Sequence, residues 1–159
     1  MIKLKQCLES DCETIRQIQK RSFETLLKKY RDYDTNPACE TEGRILEKMA
    51  QPQTTYYLIQ NGDVIIGAAR VFRVGEKTMR ISPIMILPEH QKSGFGRAAM
   101  SLLEETYPEI SLWQLDTILQ EEALCRFYEG FGYRKTGESY DIKPGMTIVF
   151  YEKTINCKS

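Results

Sequence analysis

The chain has 159 residues, a length that suits one domain with its own hydrophobic core. Hydrophobic residues make up 42% of it and charged residues 28%, which is typical of folded globular proteins and excludes a disordered or fibrous chain. The 22 basic residues equal the 22 acidic ones, which argues against a nucleic-acid partner because such proteins usually carry a basic surplus. We therefore expect residues 1–159 to form a single domain.

No segment indicates export or insertion into a membrane. Met1–Lys5 is too short and too charged for a signal peptide, and no apolar run reaches membrane-spanning length. The cysteines are scattered without a CxxC pair, which favours reduced thiols in a cytoplasmic protein. They are Cys7, Cys12, Cys39, Cys125 and Cys157. Since His90 is the single histidine, we expect no multi-histidine metal site and no metal cofactor.

The N-terminal part of the chain predicts a strand followed by a long helix. Ile2 and Leu4 alternate with lysines, a pattern that indicates a short edge strand. Ser10 and Glu13 have the spacing of a capping box, so we expect Ser10 to be the N-cap of the first helix. Apolar residues then recur at helical spacing and form one stripe that runs to Tyr30.

The middle of the chain predicts a second short helix at 40–50 and then three strands. The first two, at 54–59 and 64–74, flank Asn61-Gly62, a strong hairpin signal. The third covers 78–87, and its end is apolar on both faces, which predicts a central place in the sheet.

The C-terminal half continues with alternating helices and strands. A helix is predicted after a glycine-rich loop and ends at Pro108. The remaining predicted elements are a strand at 112–118, a helix at 121–129, and strands at 133–138 and 146–153 joined by a loop with Pro144-Gly145. Together the elements follow the order β-α-α-β-β-β-α-β-α-β-β, which indicates an α+β domain with an antiparallel first half and a strand-helix-strand crossover.

The glycine-rich loop Gln91–Arg97 has the composition of a phosphate-binding turn. Gly94 and Gly96 let the backbone turn tightly and approach a ligand closely. The amides lie at a helix start, where they lack internal partners and the helix dipole favours anions. Lys92 and Arg97 add positive charge. The alternative is that the glycines merely permit a tight connection, since a lone GxG is weak evidence.

Two nucleotide-binding motifs fit this loop poorly. No Gly-Lys-Ser/Thr follows, so it is not a P-loop. The third glycine of a dinucleotide fingerprint is replaced by Ala99, and the preceding chain predicts hairpins rather than a βαβ unit.

Two longer motifs resemble those of the GNAT family of N-acetyltransferases. The segment Leu87–Arg97 is similar to the family's acetyl-CoA signature, Q/R-x-x-G-x-G/A after a strand and a proline. The segment Ala123–Tyr133, with Phe127-Tyr128 and two glycines, matches the family's second hallmark. The distance between the motifs and the order of predicted elements also fit, so the resemblance covers nearly the whole chain.

The resemblance implies an α/β/α sandwich around a mixed, mostly antiparallel sheet of six or seven strands. It implies acetyl-CoA as co-substrate and direct acetyl transfer to an amine, without a covalent enzyme intermediate. The pyrophosphate role falls on Gln91, Lys92, Ser93, Gly94, Phe95, Gly96 and Arg97. The thioester role falls on backbone groups near Ile84 and Ile86, where an amide would polarise the acetyl carbonyl.

The resemblance also implies two catalytic residues. Tyr128 matches the family tyrosine that protonates the departing thiolate, and the intact motif favours this role over the alternative of a core aromatic. Arg80 stands where histone-type members carry a glutamate base, so that base is absent. Asp116 matches the glutamate of members similar to ribosomal-protein alanine acetyltransferases, and its alternative is a solvent-facing or capping aspartate. Glu121 replaces a frequent family asparagine and is not assigned to catalysis.

The expected function is acetyl transfer to a primary amine of a small molecule or peptide. The alternative is a non-catalytic acyl-CoA-binding or sensor module on the same fold, and the presence of Tyr128 favours the enzyme. Acceptor recognition is expected in residues 15–50 and in a loop over Glu138–Met146, neither of which identifies the amine. No membrane partner is expected, and a homodimer is possible because homodimers are common in the family.

Overall fold

A computed structural model describes residues 1–156, so Cys157 lies outside the described part of the chain. Residues 1–156 contain seven strands and four α-helices in the predicted order. The strands are β1 (Ile2–Gln6), β2 (Thr54–Asn61), β3 (Val64–Gly75), β4 (Thr78–Ile86), β5 (Leu112–Ile118), β6 (Arg134–Lys143) and β7 (Met146–Thr154). The helices are α1 (Cys12–Tyr30), α2 (Glu42–Met49), α3 (Phe95–Thr106) and α4 (Glu122–Gly130). Short 3-10 turns lie at Glu9–Asp11, Pro37–Cys39 and Pro88–His90.

The strands form one mixed sheet in the order β1-β2-β3-β4-β5-β7-β6. Strand β4 is its central strand, as its apolar end predicts, and β1 is an edge strand. All neighbours are antiparallel except β4 and β5, which run parallel because α3 carries the chain back across the sheet between them. The α+β class and the mixed, mostly antiparallel sheet are therefore confirmed.

The two faces of the sheet carry separate cores. Trp113, Tyr133 and Tyr151 are almost fully buried in the larger cluster, which lies against α3 and α4. Ile15, Ile18 and other residues of α1 and α2 pack on the opposite face of the sheet. Because side chains alternate along a strand, the inner strands β2, β3, β4, β5 and β7 contribute to both layers, which is the sandwich that the resemblance implies.

Two local predictions are wrong. Ser10 does not cap α1, because the Asp11 carboxylate accepts the Leu8 N–H at 2.9 Å and the short turn there delays the helix to Cys12. Residues Glu138–Met146 do not form a long loop, because β6 continues to Lys143 and the reversal uses only Pro144-Gly145. The extended strand is held by its pairing with β7.

One contact joins α1 to the start of α4 beyond the end of β5. The Glu121 carboxylate accepts hydrogen bonds from the Lys29 ammonium at 2.6 Å and from the Tyr30 hydroxyl at 2.5 Å. Burial raises the pKa of Glu121, but the hydrogen bonds from Lys29 and Tyr30 and the Lys29 charge outweigh burial, so the net shift is downward. This contact ties together two helices that pack on opposite faces of the sheet.

None of the helices within residues 1–156 is both long enough and apolar enough to cross a membrane.

Gly67→Ala tests the closest approach of β3 and β4. A Cβ at Gly67 would lie 2.1 Å from the Met85 carbonyl oxygen, so the two strands would have to separate. We expect the free energy of unfolding to fall by about 2 kcal/mol, measured by urea denaturation. Gly43→Ala is the control, because its Cβ has no neighbour nearer than 4.0 Å and alanine favours the helix. Equal stability of the two variants would contradict the packing described here.

Glu121→Gln tests the contact between α1 and α4. A carboxylate whose pKa is lowered on folding stabilises the protein above its ordinary pKa of 4.5, and this stabilisation is lost as the pH falls through the lowered pKa. We therefore expect the variant to lose about 1 kcal/mol of unfolding free energy at neutral pH, and the loss to shrink below pH 4.5. Urea denaturation at several pH values measures it. Glu122→Gln, at a carboxylate 83% exposed, should change little at any pH. A deficit in Glu121→Gln that persists at pH 3 would contradict the charge-based account.

Candidate active site

The strands β4 and β5 part soon after they begin. Their pairing covers Thr78, Met79 and Arg80 of β4 and ends where Arg80 lies opposite Gln114. Both strands continue beyond this point, β4 to Ile86 and β5 to Ile118, and each stays paired with its outer neighbour. The result is a wedge-shaped gap between the two strands, bordered by backbone rather than by a continuous ladder of hydrogen bonds.

Alternate residues of β4 point their backbone groups into this gap. The Leu87 N–H donates to the Ile66 carbonyl of β3 at 2.8 Å, so Leu87 and Met85 face β3. Because direction alternates along a strand, the N–H and C=O groups of Ile84 and Ile86 face the gap. The Gln91 side chain donates to the Ile86 carbonyl at 2.8 Å, which agrees with this assignment. The two residues singled out in the sequence are thus the ones whose backbone faces the gap.

The glycine-rich loop lies at the wide end of the gap and leads into α3. Lys92 and Gly94 adopt positive φ values of 65° and 78°, which turn the backbone sharply before the helix begins at Phe95. Gly94 is the N-cap and supplies no side chain. Among residues 1–156, the amides of Lys92, Ser93 and Gly94 donate no backbone hydrogen bond, and the first amides of α3 lack partners within the helix. Unsatisfied amides at the start of a 12-residue helix form a site suited to an anion.

The two sequence motifs meet at Gly96. A Cβ at this position would lie 3.3 Å from the Phe127 ring of α4 and 3.9 Å from the Ile86 side chain of β4. Glycine therefore lets the loop, α4 and β4 approach one another. This contact places the glycine-rich loop directly beside the Phe127-Tyr128 motif.

Tyr128 is buried in the core on the face of the sheet that α3 and α4 cover. It is 8% exposed and belongs to the same core cluster as the Ile84 and Ile86 side chains. Its ring packs edge-on against Phe127 and Tyr133, with centroids 5.2 and 6.1 Å apart. Burial raises the pKa of the Tyr128 phenol, and the Asp116 and Cys125 groups raise it further. The phenol is therefore protonated at neutral pH and can donate a proton.

Asp116 forms an ion pair across the gap. Its carboxylate accepts a hydrogen bond from the Arg80 guanidinium at 2.5 Å, and the guanidinium lies over the Phe150 ring at 5.2 Å. Its strand neighbour Leu115 is buried in the core with Tyr128, so Asp116 points to the opposite face of the sheet. In the sequence, Arg80 stands out only as the absence of a glutamate, and no pattern there predicts this pair.

Two other residues noted in the sequence, Cys125 and His90, lie at positions that serve the fold. The Cys125 thiol lies 3.8 Å from the carbonyl oxygens of both Ile118 and Leu119 and is buried between β5 and α4. His90 ends the short turn before the loop. Within residues 1–156, no group of three or more His, Cys, Asp and Glu side chains could hold a metal ion.

Three comparisons relate the chain to known proteins. The model of the Acetyltransferase (GNAT) family matches residues 12–133. A comparison with curated proteins gives no match. Among solved structures, the ribosomal-protein-S18-alanine N-acetyltransferase of Escherichia coli aligns with a TM-score of 0.77 at 14% identity, over 100% of this chain and 97% of that one.

Two further solved structures have the same fold. An acetyltransferase from Thermus thermophilus aligns with a TM-score of 0.75 at 14% identity, over 98% of this chain and 97% of that one. The spermidine N-acetyltransferase of Vibrio cholerae, solved with CoA and spermine, aligns with a TM-score of 0.75 at 14% identity, over 96% and 95% of the two chains. At these identities the structures show a shared fold, while the family match spans most of the sequence. The chain belongs to the GNAT family of acetyltransferases.

Proposed function

We propose that this protein is an acetyl-CoA-dependent N-acetyltransferase that transfers acetyl directly to a primary amine of a small molecule or peptide. The observation that carries the proposal is the gap between β4 and β5, which the backbone groups of Ile84 and Ile86 border. The anion site at 92–97 lies beside the Ile86 side chain, and the buried Tyr128 packs in the same core cluster as the Ile84 and Ile86 side chains. Family membership and neighbours solved with CoA support the same choice of donor.

The residues present fit acetyl-CoA, which supplies an activated acetyl thioester. The free amides of 92–97, with the charges of Lys92 and Arg97, would hold its pyrophosphate. The backbone groups of Ile84 and Ile86 would bind its pantetheine arm as an added strand would. An amide of this segment would also stabilise negative charge on the acetyl oxygen during transfer.

Tyr128 serves as the proposed general acid. It donates its phenolic proton to the thiolate that leaves when the acetyl group transfers. Burial first and the Asp116 charge second raise the pKa of Tyr128, so the phenol holds its proton across the neutral range until the thiolate departs. Its packing in the core also fixes the direction of the hydroxyl group.

Asp116 serves as the proposed general base, which removes a proton from the attacking amine. In the structure its carboxylate is paired with Arg80, so Arg80 has to release it before it can accept that proton. Asp116 and Tyr128 lie on opposite faces of the sheet, which suits a base on the acceptor side and an acid on the donor side of the gap. Because the aspartate side chain is short, a bridging water would carry the proton from the amine to the Asp116 carboxylate.

A non-catalytic acyl-CoA-binding or sensor module is the second candidate. It is favoured by one observation, the engagement of Asp116 by Arg80 in the free protein. Release of free CoA in the presence of a panel of amines distinguishes the two candidates, because a sensor binds CoA without turning it over.

We place the protein in the cytoplasm. Cys7, Cys12, Cys39 and Cys125 are all free thiols, as a reducing compartment would leave them.

A homodimer stays a prediction that sedimentation of the purified protein would test.

Gly94→Asp tests the cofactor site. A carboxylate at the N-cap of α3 would repel the pyrophosphate, so we expect the Kd for CoA, measured by calorimetry, to rise at least about tenfold. Gly145→Asp is the matched control, because Gly145 also has a positive φ and open space around it but lies in the β6–β7 turn. Unchanged CoA affinity in Gly94→Asp would refute the assignment of the loop.

Tyr128→Phe tests the general acid. We expect CoA affinity to stay within about threefold of the wild-type value while turnover falls about a hundredfold, because only the proton donor is removed. Tyr133→Phe is the control, since this neighbouring buried hydroxyl has no hydrogen-bond partner within residues 1–156. Wild-type turnover in Tyr128→Phe would mean that another group supplies the proton.

A further inference from the structure

Arg80 occupies the acceptor side of the gap at the point where the strands part. It is the last residue of β4 that pairs with β5. Its buried neighbours Met79 and Ile81 face the α3–α4 core, so Arg80 points to the opposite face, as Asp116 does. An amine that approaches the gap from this face meets the Arg80–Asp116 pair first.

The Arg80 guanidinium is held in a fixed orientation. One nitrogen donates to Asp116 at 2.5 Å, and the group lies over the Phe150 ring at 5.2 Å. The side chain is 20% exposed, so it is ordered but still reachable by a ligand. A guanidinium has five N–H donors in one plane, and the single bond to Asp116 leaves most of them for a second oxyanion.

A second cation, Arg70, lies beside Arg80 on the same face. Phe72 pairs with Arg80 across β3 and β4, so Arg70, two residues before Phe72, is its diagonal neighbour. The Arg70 guanidinium lies over the Phe72 ring at 4.4 Å and donates to the Ser82 carbonyl at 2.9 Å. No salt bridge among residues 1–156 involves Arg70, and its buried Nε has no hydrogen-bond partner there. The carboxylate that acts on it electrostatically, Glu40, is paired with Lys48.

The carboxylates next to the gap are already neutralised by bases of the same chain. Asp116 is paired with Arg80 and Glu121 with Lys29. Glu152 lies farther along β7, opposite Gln114 and Arg134, where β4 and β5 are still paired. A polycationic acceptor needs unpaired carboxylates to bind it, whereas Arg70 adds positive charge. The charge balance therefore favours an acceptor that carries a negative group of its own.

We propose that the Arg80–Asp116 pair is the recognition site for an acceptor amine that bears a carboxylate close to its amino group. The acceptor's carboxylate forms an ion pair with Arg80, and its ammonium group forms one with Asp116, so one ion pair is exchanged for two. Each half-buried charge keeps a partner of opposite sign throughout the exchange. The ammonium then transfers one proton to Asp116 and attacks the thioester as the neutral amine. This inference rests on the proposed acetyltransferase function and names the substrate class of the same site.

The carboxylate could belong to a free amino acid or to an acidic side chain at the start of a peptide. Matched pairs separate these sources: free α-amino acids against their carboxamides, and Asp-Ala-amide against Asn-Ala-amide. Spermidine serves as the polycationic comparison. The readout is kcat/KM from the release of free CoA with acetyl-CoA as donor. In at least one pair we expect the carboxylate form to be preferred about tenfold or more, and both forms to be preferred over spermidine.

Arg80→Gln should reduce that preference to about one, because the carboxylate loses its partner. The ratio between two substrates of one preparation does not depend on how much of it is folded, so a stability loss cannot imitate the result. Arg134→Gln, at an exposed position of β6, is the control and should keep the preference. Equal use of both members of every pair, a preference for spermidine, or a preference that survives Arg80→Gln would overturn the inference.

Binding to the CoA-loaded protein tests the inference without turnover. Calorimetric titration with the same pairs should show tighter binding of the carboxylate form and loss of the difference in Arg80→Gln. This result with no CoA release would refute the proposed function and leave the recognition site standing. Failure of every carboxylate-bearing amine to bind the CoA-loaded protein would refute the recognition site.

Discussion

The parting of β4 from β5 is the constraint on which the rest of the site depends. A backbone N–H or C=O group that leaves a sheet ladder needs another partner. After Arg80 and Gln114 the facing edges of the two strands no longer supply one to each other, yet both strands stay ordered because β3 and β7 hold their outer edges. The sheet therefore keeps a gap open with polar backbone groups along it, a place that an extended ligand can fill.

The two faces of the sheet give the gap different chemistry. On the face covered by α3 and α4, aromatic packing buries Tyr128 and raises its pKa. On the other face, Arg80 and Asp116 neutralise each other beside the Phe150 ring. The sheet itself thus separates the proposed general acid, Tyr128, from the proposed general base, Asp116. The Glu121 contact with Lys29 and Tyr30 joins helices of both layers beyond the end of β5.

Local signals in the sequence were sufficient for the element order and for the loop. The glycines and charges of Gln91–Arg97 are adjacent in the chain, and so are Phe127 and Tyr128, so short-range patterns predict them. The prediction that Ser10 caps α1 is wrong because the Asp11 carboxylate accepts the Leu8 N–H in the same turn. The Arg80–Asp116 pair joins residues 36 positions apart, and it exists only because α3 brings β4 and β5 together in parallel. The spacing of residues along the chain does not predict such a contact.

Backbone amide resonances, followed by NMR during titration with CoA, test the central claim most directly. We expect the amides of Ile84, Ile86 and residues 93–97 to shift on binding, because these groups border the gap and the start of α3. Amides of the β6–β7 turn near Gly145 should stay in place. Binding that leaves the amides of 84–86 and 93–97 unchanged and shifts a different part of the sheet would contradict it.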